Sequence, residues 1–153
     1  MSEQLLAPEI TFFMTHAPGA STPATGKTLP EIIAEFNESE FARLLGMTIT
    51  DAHDGYARVT MDCAGKMNPS GVAHGGAIFA LADHAFGIAS NCGSTHRVAV
   101  SVSIQYLVPA TGTLVAEARQ VADTGKYASF QVMVYAGERT VATFDGVAFA
   151  LSP

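Results

Sequence analysis

Hydrophobic and polar positions alternate with a period of two over most of the second half of the chain. The alternation is strictest in RVAVSVSIQYLV (97–108), where one predicted strand face carries Val98, Val100, Val102, Ile104, Tyr106 and Val108. Such alternation is typical of a β-strand with one apolar face. Turn residues then separate three more predicted strands, at 113–122, 126–136 and 139–151. Short turns between successive strands predict an antiparallel meander.

The segment before this region has helical spacing instead. Apolar residues recur every three or four positions over 30–45, which predicts a helix that Gly46 ends. The polar stretch 37–39 favours a division into two short helices, with Ser39 as the cap of the second one. Two short strands are predicted after these helices, at 47–50 and 56–63.

Residues 75–89 form a further predicted helix, and it is the most apolar one. Only Asp83 and His84 are polar in its turns. A helix that is apolar nearly all round is buried nearly all round, and a curved sheet that wraps it would bury it. The sequence therefore predicts an α+β fold, in which an antiparallel sheet of five to six strands wraps around a long central helix.

Two features of this helix indicate chemistry. A buried carboxylate is costly, so Asp83 needs a partner such as His84 or Arg97, a raised pKa, or a function. The helix begins at the pair Gly75–Gly76, where missing side chains leave backbone N–H groups exposed at the positive end of the helix dipole. Such an end stabilises oxyanions, so the two features together indicate reactions at a carbonyl group.

The spacing of these two features predicts a dimer. Gly75 and Asp83 are separated by eight residues, or about 12 Å along a helix at 1.5 Å per residue. One carbonyl group cannot contact both groups of the same helix. Two such helices lying antiparallel across a two-fold axis would bring Gly75 of one subunit to Asp83 of the other, with two equivalent sites per dimer.

Composition and charge narrow the classes of function. The 153 residues suit one domain, and the net charge of −6 argues against nucleic acid and anionic membranes as partners. No apolar run is long enough to span a bilayer, and the first residues lack the basic region of a signal peptide. Cys63 and Cys92 lack zinc-ligand spacing and are expected to be reduced, which predicts a cytoplasmic protein. The predicted organisation is an arm and linker at 1–28 and a folded domain at 29–153.

The sequence NPSGVAHGGAIFALADHAF (68–86) resembles the signature of the hotdog-fold acyl-CoA thioesterases of the phenylacetate-degradation type. The resemblance implies a sheet wrapped around the helix, dimers joined edge to edge, and tetramers built from such dimers. It also implies that the Gly75 N–H polarises the thioester carbonyl. Asp83 of the partner subunit would be either the nucleophile or the base that activates water. His74 and Asn68 would position the substrate and stabilise the site.

The resemblance further implies the substrate and its contacts. The substrate would be an acyl- or aryl-coenzyme A, and the reaction would need neither a metal nor a cofactor. The residues implied in binding substrate or coenzyme A are Gly76, Val100, Ser101, Val102, Gly125 and Lys126. One position departs from the family pattern, because Val108 precedes Pro109 where the family often has a basic residue.

Two other functions on the same fold stay open from the sequence. A hotdog enoyl-thioester hydratase or dehydratase would use a His with an Asp or Glu for proton transfer. A non-catalytic acyl-CoA-binding protein would need no reactive carboxylate. A metal site is not expected at Asp83 and His84, because adjacent helix residues point about 100° apart and rarely share one ion.

Overall fold

Six antiparallel strands form one sheet, and a long helix lies across it. The structure is a computed structural model, and it describes residues 26–151. The sheet has the strand order β1-β2-β4-β5-β6-β3. This architecture confirms the predicted α+β hotdog fold, whereas residues 1–25 of the predicted arm lie outside the described residues. The elements are α1 (Leu29–Glu38), α2 (Glu40–Leu45), β1 (Thr48–His53), β2 (Tyr56–Asp62), α3 (Gly75–Asn91), β3 (Arg97–Tyr106), β4 (Thr113–Asp123), β5 (Tyr127–Ala136) and β6 (Arg139–Ala150).

The predicted helix over 30–45 is divided into α1 and α2 at Ser39, as the polar stretch there suggested. Ser39 occupies the N-cap position of α2, but its hydroxyl donates a hydrogen bond of 2.8 Å to the Phe36 carbonyl at the end of α1. Ser39 is therefore the N-cap residue of α2, as predicted, but its side chain makes no capping hydrogen bond to that helix. Gly46 ends α2 with φ of 62°, a left-handed conformation that glycine adopts without strain.

The core lies between α3 and the inner face of the sheet. Its largest buried side chains include Phe86 of α3 and the strand residues Phe130 and Phe144. The Phe86 ring centroid lies 5.3 Å from that of Phe130 and 5.8 Å from that of Phe144. Gly146 makes this packing possible, because a Cβ there would lie 2.9 Å from the Phe86 ring. Each such buried aromatic side chain stabilises the fold by about 2 kcal/mol.

One row of α3 is only half-buried, and we refer to it as the α3 seam. It consists of Gly75, Phe79, Asp83, Gly87 and Asn91, which recur at every fourth position. Residues four apart lie above one another on a helix, so they form a continuous line along its surface. Of the other α3 residues, only Gly76 at the start and His84 beside α1 are not fully buried. The α3 seam is therefore where the helix is accessible along its length.

Strand β3 departs from the strict alternation predicted for it. Its pairing with β6 shifts between Ala99 and Ser101, which makes Val100 a bulge. Beyond the bulge, Val102 and Ile104 pair with inward-facing residues of β6, whereas Val98 pairs with Phe149 on the opposite face. The prediction that Val98 and Val102 share one face is therefore wrong, because the extra residue reverses the alternation.

Strand β3 is also one of the two edges of the sheet. Its large exposed apolar residues are Val98, Val100 and Tyr106, and Leu107 directly after the strand is exposed as well. At the other edge, β1 is only six residues long and exposes polar and charged side chains such as Asp51. A long apolar edge without lysine or proline favours pairing with another strand. No helix within residues 26–151 is long and apolar enough to cross a membrane.

Candidate active site at the central helix

The N-terminus of α3 is built around His74. This residue is the N-cap, and its Nδ1 accepts a hydrogen bond of 2.9 Å from the Gly76 N–H. Because Nδ1 accepts, the proton of the neutral ring lies on Nε2. The backbone N–H of His74 donates to the Lys66 carbonyl at 2.9 Å, which fixes the cap to the preceding loop. The backbone N–H of Gly76, a residue implied in substrate binding by the resemblance, is therefore already engaged by the His74 ring.

The N–H of Gly75 stays available. It donates to no acceptor within the described part of the chain. Tyr106, at the end of β3, lies directly beside this residue, and its hydroxyl donates a hydrogen bond of 3.0 Å to the Gly75 carbonyl. A Cβ at position 75 would lie 3.3 Å from the tyrosine ring. The glycine pair thus has two functions, since Gly76 completes the cap and Gly75 presents a donor.

Asn68 organises the loop that leads into the helix. Its Oδ1 accepts hydrogen bonds from the backbone N–H groups of Ser70 at 2.9 Å and Val72 at 3.3 Å. Its own backbone N–H donates to the Val72 carbonyl at 2.8 Å. Asn68 therefore holds the loop through its side-chain oxygen, which is consistent with a positioning role.

Asp83 is half-buried in the α3 seam, and no hydrogen bond or ion pair within residues 26–151 engages its carboxylate. Burial raises the pKa of Asp83 above its ordinary value of 3.8. The two partners that the sequence offered are engaged elsewhere. Arg97 forms an ion pair of 2.7 Å with Asp123, and the His84 ring packs edge-on against Phe36 with a centroid distance of 5.9 Å. Neither Arg97 nor His84 therefore pairs with the Asp83 carboxylate.

His84 does not extend the site. Its Nε2 is buried and has no hydrogen-bond partner among the described residues. Burial lowers the pKa of the His84 ring below its ordinary value of 6.5. The ring is therefore neutral at neutral pH and contributes no charge beside Asp83.

The remaining predicted substrate contacts lie along β3 and at the far end of the sheet. Val100 and Ser101 are exposed and Val102 is half-buried. Gly125 lies near Arg97, which begins β3, whereas Tyr106 at its end contacts Gly75. These two ends are nine residue steps apart along the strand, or about 30 Å at 3.3 Å per step.

One protomer therefore does not bring Gly125 and Lys126 to Gly75. The Lys126 ammonium lies over two aromatic rings, 5.9 Å from the Tyr127 centroid and 5.7 Å from that of Phe149. At the other end of β3, Val108 precedes Pro109 where the family often has a basic residue. A cation still lies nearby, because the Arg139 side chain donates a hydrogen bond of 2.9 Å to the Pro109 carbonyl.

Other chemistries find little support in the described range. It contains no group of three or more His, Cys, Asp or Glu side chains that could hold a metal ion. Cys63 and Cys92 are free and buried. Burial raises the pKa of Cys92 to about 11, so its thiol stays protonated and is a poor nucleophile.

Comparisons with known proteins find thioesterases that are similar to this chain in sequence and in structure. The profile of the thioesterase superfamily matches residues 70–143. The acyl-coenzyme A thioesterase PaaI of Escherichia coli is 36% identical over 118 residues, which cover 74% of this chain and 84% of that protein. Its solved structure superimposes with a TM-score of 0.73 at 30% identity, covering 78% of this chain and 89% of the other.

Two further relatives are named as esterases by inference. The protein of Archaeoglobus fulgidus is 37% identical over 65% of this chain, and that of Deinococcus radiodurans is 42% identical over 52%. The chain spans 66% and 48% of the lengths of these two relatives. A Streptococcus mutans structure with bound acetyl CoA superimposes with a TM-score of 0.65 at 28% identity, covering 69% of this chain and 89% of that one.

A six-stranded sheet around a helix that has a histidine N-cap, begins with Gly-Gly and carries a half-buried aspartate defines the class of hotdog thioesterases. The chain belongs to the thioesterase superfamily, as the resemblance in 68–86 predicted. Within that superfamily, its similarity is to the PaaI type.

Proposed function

We propose that this protein hydrolyses the thioester of an acyl- or aryl-coenzyme A to the free acid and coenzyme A. The observation that carries the proposal is Asp83, a half-buried carboxylate with no partner among the described residues, on a helix whose first N–H is also unused within that range. An attacking oxygen and an oxyanion donor are the two groups that thioester hydrolysis requires. The named thioesterase relative supports the same reaction.

The Gly75 N–H would donate to the thioester carbonyl oxygen and stabilise the negative charge that develops on it. Two routes are then available to Asp83. As a nucleophile, its oxygen attacks the carbonyl carbon, the C–S bond breaks, and water hydrolyses the resulting anhydride. As a general base, it takes a proton from water while that water attacks the same carbon. In both routes the coenzyme A thiolate leaves and takes up a proton.

The proposed site is shared between two subunits. Gly75 and Asp83 lie about 12 Å apart along α3, so one thioester cannot contact both within one protomer. Antiparallel packing of two α3 helices would place the partner subunit's Gly75 opposite Asp83. The exposed apolar edge of β3 supports edge-to-edge pairing of two sheets. A dimer, or a tetramer of two such dimers, would then be the active form.

Binding of coenzyme A is proposed along β3, near Val100, Ser101 and Val102. The bound acetyl CoA of the Streptococcus mutans structure supports a coenzyme A ester as the ligand. Gly125 and Lys126 are proposed as further contacts, although they lie about 30 Å from Gly75 of their own protomer at 3.3 Å per strand residue. In the proposed reaction, His74 and Asn68 act through the helix cap and the loop that they hold.

A thiol-release assay on a panel of acyl- and aryl-CoA esters tests the proposal, with Asp83→Asn as the control variant. We expect release by the wild type and a loss of at least about a hundred-fold in the variant, because the amide neither attacks nor takes a proton. The variant should keep the oligomeric state of the wild type, which size-exclusion chromatography measures. No release from any ester would overturn the proposal and favour a hydratase or a binding protein, which enoyl-CoA hydration and equilibrium binding would then separate.

A further inference from the structure

Gly87 lies in the second half of α3, although nothing within residues 26–151 requires a glycine there. Glycine is a poor helix former, because it loses more backbone freedom than alanine on folding. Its φ is not positive, so the backbone conformation suits any residue. A Cβ built on it meets no atom within 4 Å, so packing does not exclude a side chain either. The two ordinary reasons for a helical glycine are therefore absent within the described residues.

Gly87 also lies next to the proposed reacting group. It follows Asp83 by four residues in the α3 seam and therefore lies on the same helix face, about 6 Å further along the axis. The corresponding position on the other side of Asp83 carries a large side chain, Phe79, whose ring packs against Phe144 with a centroid distance of 5.7 Å. Open space beside Asp83 thus lies on the Gly87 side.

In the proposed dimer, this space would be enclosed rather than open. When the partner subunit's Gly75 lies opposite Asp83, antiparallel helices place the loop ahead of the partner's α3 over Gly87. The result is a pocket that begins at the reacting carbonyl and extends about 6 Å along α3. A ring or a branched chain attached to the thioester carbonyl has this reach, whereas an acetyl group does not need it.

We propose that Gly87 is the specificity-determining residue of the site, because its missing side chain leaves room for a bulky or aromatic acyl group beside Asp83. The inference rests on the proposed hydrolysis and on the shared site. It assigns the acyl-binding end of the pocket to the second half of α3.

Gly87→Ala and Gly87→Leu test the assignment, with thiol release measured for acetyl-CoA and phenylacetyl-CoA. Both new residues favour helix, so the variants should fold, and Gly87→Ala should raise the melting temperature by about 3 °C. We expect kcat/KM for phenylacetyl-CoA to fall at least about ten-fold in Gly87→Leu, with a smaller fall in Gly87→Ala. Acetyl-CoA should change less than about three-fold in both, because its short acyl group does not need the space beside Gly87.

Ala34→Leu is the matched control, because Ala34 is an exposed residue of α1 outside the α3 seam and should leave both substrates unaffected. Equal losses for the two substrates, or no loss for phenylacetyl-CoA, would overturn the assignment while wild-type release still supports hydrolysis. A lower melting temperature of Gly87→Ala would overturn it as well, because it would show that the fold itself requires the glycine. Absence of wild-type release from both esters would instead overturn the proposed hydrolysis on which the assignment rests.

Discussion

Tyr106 and Gly75 fix one another at the start of α3. The tyrosine hydroxyl donates a hydrogen bond of 3.0 Å to the glycine carbonyl, and its ring lies 3.3 Å from where a Cβ of residue 75 would stand. The contact joins the last residue of an edge strand to the first residue of the central helix. The orientation of the free Gly75 N–H therefore depends on a strand that is distant in sequence.

Tyr106→Phe should lower kcat by about three- to ten-fold and leave KM nearly unchanged. The variant keeps the ring against Gly75 and loses one hydrogen bond, which is worth about 1 kcal/mol. Steady-state kinetics with one ester measures the two parameters, and thermal unfolding should show a melting temperature within a few degrees of the wild type. An unchanged kcat would show that the ring alone positions the helix N-terminus.

His74→Ala should lower the free energy of unfolding by about 1 kcal/mol, because the Gly76 N–H loses its cap acceptor. His74→Asn should restore that stability, since asparagine is among the best N-cap residues. We expect His74→Asn to regain most of the turnover that His74→Ala loses, because the ring acts through the cap. A variant that is stable but inactive would instead place His74 in direct contact with the substrate. Denaturant unfolding and thiol release measure the two effects.

As the pH rises, ionisation of Asp83 should increase activity and decrease the stability of the folded state. Its pKa is raised by burial above 3.8, and it must be ionised to attack or to take a proton, so kcat/KM should fall as the pH falls through the raised value. For stability, the unfolded state releases this proton first as the pH rises. Ionisation of Asp83 therefore destabilises the folded state between pH 3.8 and its raised pKa.

Asp83→Asn should accordingly become more stable than the wild type as the pH rises through this window. Denaturant unfolding of both proteins at several pH values measures the difference. A difference that shrinks with rising pH would mean that the folded state stabilises the carboxylate, and it would contradict the absence of a partner.

Mixed dimers should show whether the site is shared. Asp83→Asn lacks the attacking group and Gly75→Pro lacks the N–H donor, so each variant alone should be inactive. In a hybrid dimer, one site combines Asp83 of one chain with Gly75 of the other and is intact. Random mixing of equal amounts should restore about a quarter of the wild-type activity. No recovery after proven subunit exchange would contradict cross-subunit catalysis.

Gly75→Ala is the matched control for the proline variant. His74 has ψ of 135°, which is compatible with a following proline, and proline suits the first helical position. Both substitutions place a Cβ against the Tyr106 ring, but only proline removes the N–H. Gly75→Ala should therefore keep much more activity than Gly75→Pro, and equal losses would assign the effect to the displaced ring.

The features of the chain that depend on local pattern could be predicted from the sequence. The central helix was predicted over 75–89 and extends from Gly75 to Asn91, because an uninterrupted apolar run after a glycine pair marks both its start and its burial. The first strand, predicted at 47–50, runs instead from Thr48 to His53, since polar residues continue the pairing of an exposed edge.

The features that depend on tertiary contacts could not be predicted. The bulge at Val100 arises from the pairing of β3 with β6, and no residue type within the strand indicates it. The alternation places Tyr106 on an apolar strand face, whereas its hydroxyl contacts Gly75, 31 residues earlier. The separate functions of Gly75 and Gly76 also required the structure, because the sequence does not show which N–H the His74 ring engages.

The exposed apolar edge of β3 has a consequence for how the activity would depend on the amount of protein. If two β3 edges must pair before a complete site exists, dilution dissociates the dimers. It then lowers the number of complete sites per chain, not only their concentration. Once most chains are single, the concentration of dimers falls with the square of the chain concentration, so specific activity would fall in proportion to that concentration. A newly made chain would be inert until it met a second one, so assembly itself would switch on the catalyst.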